Sequence, residues 1–219
     1  GKPYFVPGDP TVPINYDAPA TLLDPVTKQP VPSNELPAKD PEGNVIGKYT
    51  LDPTTGVVTF TPTDKSYVGP VQSVTVQRVD KNNTPATAEY TPVIVGVKPT
   101  AKPAESTDVQ GATQKQPITF KGGTADLEDP AGTPIKSDPV PINPGSVTLV
   151  GENGTPTDEV VVKDPKDPSK VIGKYTLVKE PGKDPVAVYT PEDKTYVGQV
   201  PPVTIQAADM NGTPVRTTY

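Results

Sequence analysis

Val45-Ile46-Gly47-Lys48-Tyr49-Thr50-Leu51 recurs unchanged as Val171-Ile172-Gly173-Lys174-Tyr175-Thr176-Leu177. The heptapeptide is rich in β-branched and aromatic residues and reads as a strand. Other landmarks recur around it in the same order. Val12-Pro13-Ile14-Asn15 returns as Val140-Pro141-Ile142-Asn143, and Thr61-Pro62-Thr63-Asp64-Lys65-Ser66-Tyr67-Val68-Gly69 as Thr190-Pro191-Glu192-Asp193-Lys194-Thr195-Tyr196-Val197-Gly198. Asn82-Asn83-Thr84-Pro85 returns as Asn211-Gly212-Thr213-Pro214. The offset is about 126 residues at Val45 and about 129 at Thr61. That is far beyond the ~20–50 residues of a solenoid repeat, which cannot fold alone. Each copy has the size of an ordinary domain, so the chain reads as two autonomous units in tandem. Such duplication points to a protein whose length or valency matters more than a single site.

Within each unit the apolar pattern alternates in short runs, and no stretch of ten residues carries a helical stripe. Strands are expected near 4–6, 11–14, 20–23, 46–51, 57–61, 72–79 and 86–95. Their counterparts are expected near 118–120, 140–142, 147–149, 171–178, 186–190, 202–208 and 215–219. Val74 and Val76, like Val203 and Ile205, share one face at period two. Phe60 and Tyr189 hold one slot on a neighbouring strand, and Tyr49 and Tyr175 point inward beside outward lysines. About seven short strands per unit predict an all-β fold: two tandem immunoglobulin-like β-sandwich domains forming an elongated rod. A closed barrel is the competing architecture. The expected boundaries are 1–97 for the first repeat, 98–116 for a short Pro-containing joint, and 117–219 for the second repeat with a shortened last strand. Proline in the joint favours a stiff connection. The second copy carries about 13 extra residues within 122–139, of loop-like composition. The tight Asp52-Pro53-Thr54-Thr55-Gly56 hairpin has a longer counterpart at 179–185.

Composition narrows the function classes. The 219 residues hold 32 Pro and 18 Gly, with 32% hydrophobic residues, close to the composition of disordered chains. The repeats and the β-branched alternation argue for folded units joined by proline-rich loops, which also lower the entropy of the unfolded chain. There is no Cys and no His, which removes disulfides, thiolate metal sites and the commonest general acid–base and metal ligand. A formal net charge of −6 argues against nucleic acid and against anionic membrane surfaces as partners. No apolar run approaches the ~18 residues needed to span a bilayer as a helix. The chain opens on Gly1 and stops at Tyr219, midway through a motif that the first repeat completes. It reads as a piece of a longer protein, so missing targeting signals carry no information.

Few motifs suggest chemistry. Asp80-Lys81-Asn82-Asn83 and Asp209-Met210-Asn211-Gly212 present side-chain oxygens at alternate positions, a fragment of a calcium loop without its closing glutamate. The competing reading is a hairpin turn in which Asn or Gly supplies positive φ. Asn82, Asn153 and Asn211 begin Asn-x-Thr sequons, all at expected turns. Glu128-Asp129 and Asp158-Glu159 are adjacent acids on loops, whereas glycoside hydrolysis needs two carboxylates facing each other across a cleft. A Lys–Asn isopeptide crosslink would draw on Lys48 and Lys174 with Asn15 and Asn143; the alternative is an outward lysine and a turn asparagine. Tyr67 and Tyr196 each follow a Thr-Pro-x-Asp-Lys-x turn and precede Val-Gly and a strand. That placement resembles a tyrosine corner, in which the hydroxyl anchors the preceding loop. Tyr67, Tyr196, Phe60, Tyr189, Tyr49 and Tyr175 are therefore the structural candidates. No residue is assigned a catalytic, cofactor-binding or metal role, and no cofactor is expected.

The string Gly47-Lys-Tyr-Thr-Leu-Asp-Pro-Thr-Thr-Gly-Val-Val-Thr-Phe-Thr-Pro, followed by Tyr67-Val-Gly, Val74-Thr-Val, Asp80, Thr84 and Tyr90-Thr-Pro, resembles the CshA-type fibril repeat. So does the joint that begins Val97-Lys-Pro-Thr-Ala-Lys-Pro. The resemblance covers nearly the whole chain as two copies, with departures at the 179–185 hairpin and the 122–139 insertion. It implies a long cell-wall-anchored adhesin of Gram-positive bacteria, notably oral colonisers, whose tandem repeats form an extracellular surface fibril carrying a distal adhesive region. No catalytic role attaches to such repeats. Two readings follow. In one, the repeats are a stalk whose partners are neighbouring repeats of the same polypeptide. In the other, they contact host matrix glycoproteins or other bacteria directly. The chain has no Trp, and Arg78 and Arg216 are its only arginines, so it is poor in the residues that dominate binding hot spots.

Overall fold

The computed structural model describes residues 1–129 and 131–219. They divide into two compact units, Gly1–Gly96 and Val97–Tyr219. Both are built from antiparallel strands; among the described residues there is no α-helix, only a 3-10 turn at Pro144–Ser146.

In the first unit, a four-stranded sheet runs in the order Pro30–Val31, Thr21–Leu23, Val74–Val79, Pro85–Tyr90. A three-stranded sheet places the repeated heptapeptide Val45–Leu51 between Glu35–Lys39 and Val58–Pro62. Alternation explains the layering. Val74 and Val76 are buried with Leu22 on one sheet, and Ile46, Tyr49, Leu51 and Val58 are buried on the other. These side chains form one core cluster, the filling of a β-sandwich.

The second unit repeats the plan. Pro156–Thr157, Thr148–Val150, Thr204–Ala208 and Pro214–Thr218 form one sheet, and Gln114–Pro117, Val186–Pro191, Asp167–Val178 and Glu159–Asp164 the other. Leu149, Ile172, Tyr175, Val203 and Ile205 meet between them. The two copies of Gly in the heptapeptide sit where no side chain fits. A Cβ at Gly47 would lie 2.4 Å from the Thr61 carbonyl oxygen, and one at Gly173 would lie 2.6 Å from that of Thr190.

Several expected elements differ. Residues 4–6 and 11–14 are not strands. The Asp9 carboxylate accepts the amide and hydroxyl of Thr11 and makes a turn of that segment, and Ile14 keeps only an isolated bridge to Asp80. In the 140–142 segment Ile142 likewise makes a single bridge to Asp209. Conversely, Glu35–Lys39 and Glu159–Asp164 pair along the heptapeptide strands and were not anticipated. Pro37 is tolerated there because this is an edge strand. The 122–139 insertion is not all loop, for Asp126–Glu128 pairs with Pro134–Lys136 as a hairpin. Residues 98–116, expected as a separate joint, supply two strands of the second unit. Thr100–Ala101 pairs with Phe120–Lys121, and Gln114–Pro117 adds an outer strand beside Val186–Pro191.

Candidate functional site

Each unit is centred on an aromatic triad. The Tyr49 ring lies 5.9 Å from Phe60 and 6.1 Å from Tyr90, and the Tyr175 ring lies 5.4 Å from Tyr189 and 5.8 Å from Tyr219. The pairs are tilted or edge-on, which suits the ring quadrupoles. Tyr49 donates its hydroxyl to the Gln72 carbonyl at 2.6 Å, and Tyr175 donates to that of Pro201 at 2.9 Å. Burial pushes the Tyr49 phenol up to about 12, with Tyr90 adding to the effect, and burial also raises Tyr175. Both hydroxyls therefore remain donors over any physiological pH. Gln72 is tied in turn: its side-chain amide donates to the Asp40 carbonyl at 2.8 Å and its backbone amide to that of Lys39.

Tyr67 and Tyr196 are half-buried against their cores. Their hydroxyls reach forward, Tyr67 to the Pro70 carbonyl at 2.5 Å and Tyr196 to that of Gln199 at 2.8 Å. The expectation had been a bond to the preceding loop. That loop is instead held by carboxylates: Asp64 accepts from Ser66, and Asp193 from Thr195. Gly69 and Gly198, with φ of +136° and +138°, give each chain the bend that brings the carbonyl within reach.

The acidic motifs are consumed by turns. Asp80 accepts the amides of Asn82 and Thr84, and Asp209 those of Asn211 and Thr213, all at 2.8–2.9 Å. Asn83 and Gly212 sit at positive φ, as a turn requires. Asp129 caps the insertion hairpin through Ala131 and Thr133, while Glu159 pairs with Lys174 at 2.9 Å, so neither acid pair faces a cleft. Lys48 pairs with Glu35 at 3.2 Å and does not meet Asn15. The lysine beside Asn15 is Lys81, on the exposed surface, at 3.2 Å from both Asn15 and Asp17. Asn143 caps the 3-10 turn.

Three groups escaped the sequence reading. Tyr90 and Tyr219 complete the triads, and the alternation of the 86–90 and 215–219 runs carried that signal. Gln72 offered none, since its part depends on contacts across the fold. Arg78 is 2% exposed and donates to the Ala18 carbonyl at 2.8 Å and the Thr54 carbonyl at 2.9 Å under the Tyr16 ring. The second unit has Ala207 in the equivalent place.

Nothing in this arrangement pairs a nucleophile with a base. Its polar groups hold backbone to backbone, and it does so twice. No curated protein matches the chain at a significant level. The family model for the repetitive domain of the surface adhesin CshA matches residues 1–94 and again 96–219. The chain therefore belongs to the CshA surface adhesin repeat family and contains two tandem copies of that repeat.

Proposed function

We propose that the two repeats are stalk modules of a cell-wall-anchored fibril, holding a distal adhesive region away from the cell. Membership of a surface adhesin repeat family places the protein among extracellular surface proteins, and that family is not an enzyme family. One observation supports the finer reading. What the two copies share ties their own backbone together: the aromatic triad, the hydroxyl-to-carbonyl anchors and the Asp-capped turns. What differs lies largely on the surface, such as Lys81 against the half-exposed Met210, and the inserted hairpin in the second copy. The partners on this reading are neighbouring repeats of the same polypeptide, with host matrix glycoproteins or other bacteria met by the distal region. Nucleic acid and membrane play no part.

The test varies repeat number in a surface-displayed adhesin. Adhesion through the distal region should weaken as repeats are removed and recover when unrelated β-sandwich domains of the same total length replace them. Recovery only with the native repeats would contradict the stalk role.

A further inference from the structure

The sheet that carries the heptapeptide ends, in both units, on an outer strand. In the first unit that strand is Glu35–Lys39. In the second it is Glu159–Asp164, and among the described residues no strand pairs on its far side. The two edges run in the same register: Pro37 stands opposite Lys48, and Val161 stands opposite Lys174. Pro37 has no amide hydrogen, so it fits only where the backbone nitrogen faces away from the sheet. It thereby denies the edge a donor at its midpoint, a guard against edge-to-edge pairing. Val161 puts that donor back.

The outward direction of the Val161 amide has a second support. Backbone groups two residues apart on a strand face the same side. Glu159, two residues before Val161, directs its amide and carbonyl at the Thr157 hydroxyl, at 3.4 and 3.0 Å. The register shifts of this strand pair leave their additional residues on the inner strand, since Val162 is opposite Gly173 and Lys163 is opposite Val171. The outer strand therefore runs without a bulge from Glu159 to Lys163.

Its side chains are complementary to themselves about Val161. Glu159, Val161 and Lys163 are exposed, Val161 at 44%, while Val160 and Val162 turn toward the core. Laid antiparallel on its own copy about Val161, the strand puts Glu159 opposite Lys163 at both ends and Val160 opposite Val162. Glu159 holds Lys174 of its own sheet through Oε2 at 2.9 Å, which leaves Oε1 for a second lysine. Beyond these five residues Asp158 would meet Asp164, and the like charges end the pairing there.

We infer that the Glu159–Lys163 edge is a self-association site, on which the same edge of a second copy lies antiparallel about a two-fold axis at Val161. The two Val161 residues exchange amide-to-carbonyl bonds, and two four-stranded sheets become one. A second copy fits better than an unrelated strand because opposite charges and matched valines fall into register when this edge meets itself. So short a contact is weak, with a dissociation constant on the order of 0.1–1 mM for one pair of chains. It gains strength where many chains stand side by side on one surface. The first unit has the same charges in Glu35 and Lys39 but Pro37 between them, so its edge stays single.

The test follows the 219-residue chain from roughly 0.02 to 2 mM, a span that brackets this affinity, by sedimentation velocity and by hydrogen exchange. Dimers should form toward the upper end, and exchange at the Val161 amide should slow by roughly threefold while core amides stay unchanged. Val161→Pro should abolish both effects and leave both melting transitions in place, because the first unit folds with proline at that position. Glu159→Lys and Lys163→Glu should each remove the association alone and restore it when the two variants are mixed, which a loss of folding cannot mimic. A chain that stays monomeric throughout would overturn the assignment. So would association that survives Val161→Pro, which would place the contact on another surface, or charge variants that fail to associate when mixed.

Discussion

Tyr49 donates its phenolic hydrogen to the carbonyl of Gln72, 2.6 Å away and 23 residues further along the chain. The bond ties the heptapeptide strand to the segment that enters the opposite sheet, and the ring at its root is 2% exposed. Tyr49→Phe should therefore cost about 1 kcal/mol, the net worth of one hydrogen bond, with part of it reflecting the carbonyl left unpaired. Tyr49→Ala should cost about 3–5 kcal/mol, as expected for aromatic truncation in a packed core. Denaturant unfolding should show both as a shift of midpoint with an unchanged slope.

Tyr67 should matter less. Its ring is half-buried and its bond spans three residues, from its own hydroxyl to the Pro70 carbonyl. Tyr67→Ala should cost about half as much as Tyr49→Ala, in the region of 1.5–2.5 kcal/mol, because the half-buried ring removes less apolar surface from water on folding. Equal costs for the two substitutions would show that the forward-reaching hydroxyl is a main anchor.

Much of this was legible in the sequence, and the exceptions have physical causes. The inward positions Tyr49, Tyr175, Val74, Val76, Val203 and Ile205 follow from period-two alternation, which depends on nothing outside each strand. The Glu35–Lys39 strand was invisible because Pro37 and its flanking charges oppose strand propensity; the pairing is imposed by the neighbouring heptapeptide strand. Residues 11–14 erred the other way. Their β-branched residues read as a strand, yet the Asp9 carboxylate offers the backbone a turn at lower entropic cost. The direction of the Tyr67 hydroxyl was equally hidden, since it depends on the bend at Gly69.

Gly47→Ala and Gly173→Ala should each destabilise the unit that contains them by about 1–3 kcal/mol, the usual cost of forcing atoms into a filled space. The new methyl carbon meets backbone in both cases, at the Thr61 and Thr190 carbonyls, with the Phe60 and Tyr189 rings 2.8 Å and 2.6 Å away. Separate melting transitions would check that each substitution acts on its own unit.

Asp193 adds to the second unit an ion pair that its counterpart Asp64, held down by Ser66 alone among side chains, does not make. Its carboxylate lies 2.5 Å from the Lys170 ammonium and accepts from Thr195, and the lysine leads in holding its pKa down to about 2, against an ordinary 3.8. The folded state thus favours the ionised form. The resulting stabilisation is complete above about pH 4, fades as pH falls toward 2, and vanishes below that. The first unit has Asn44 where the second has Lys170. Asp193→Asn should lower the denaturant midpoint of the second unit at neutral pH, and the gap from the parent chain should close between pH 4 and pH 2. A gap independent of pH would show that the pair contributes nothing through charge.

On the proposed stalk role the repeats extend and do not grip. The most direct measurement is equilibrium binding of the folded 219-residue chain to immobilised host matrix glycoproteins and to whole bacterial cells, with an unrelated β-sandwich protein as reference. No saturable binding at micromolar concentration, and no difference from the reference, is the expected result. Saturable micromolar binding, abolished by an exposed substitution that leaves both melting transitions unchanged, would contradict it and make the repeats themselves the adhesive surface.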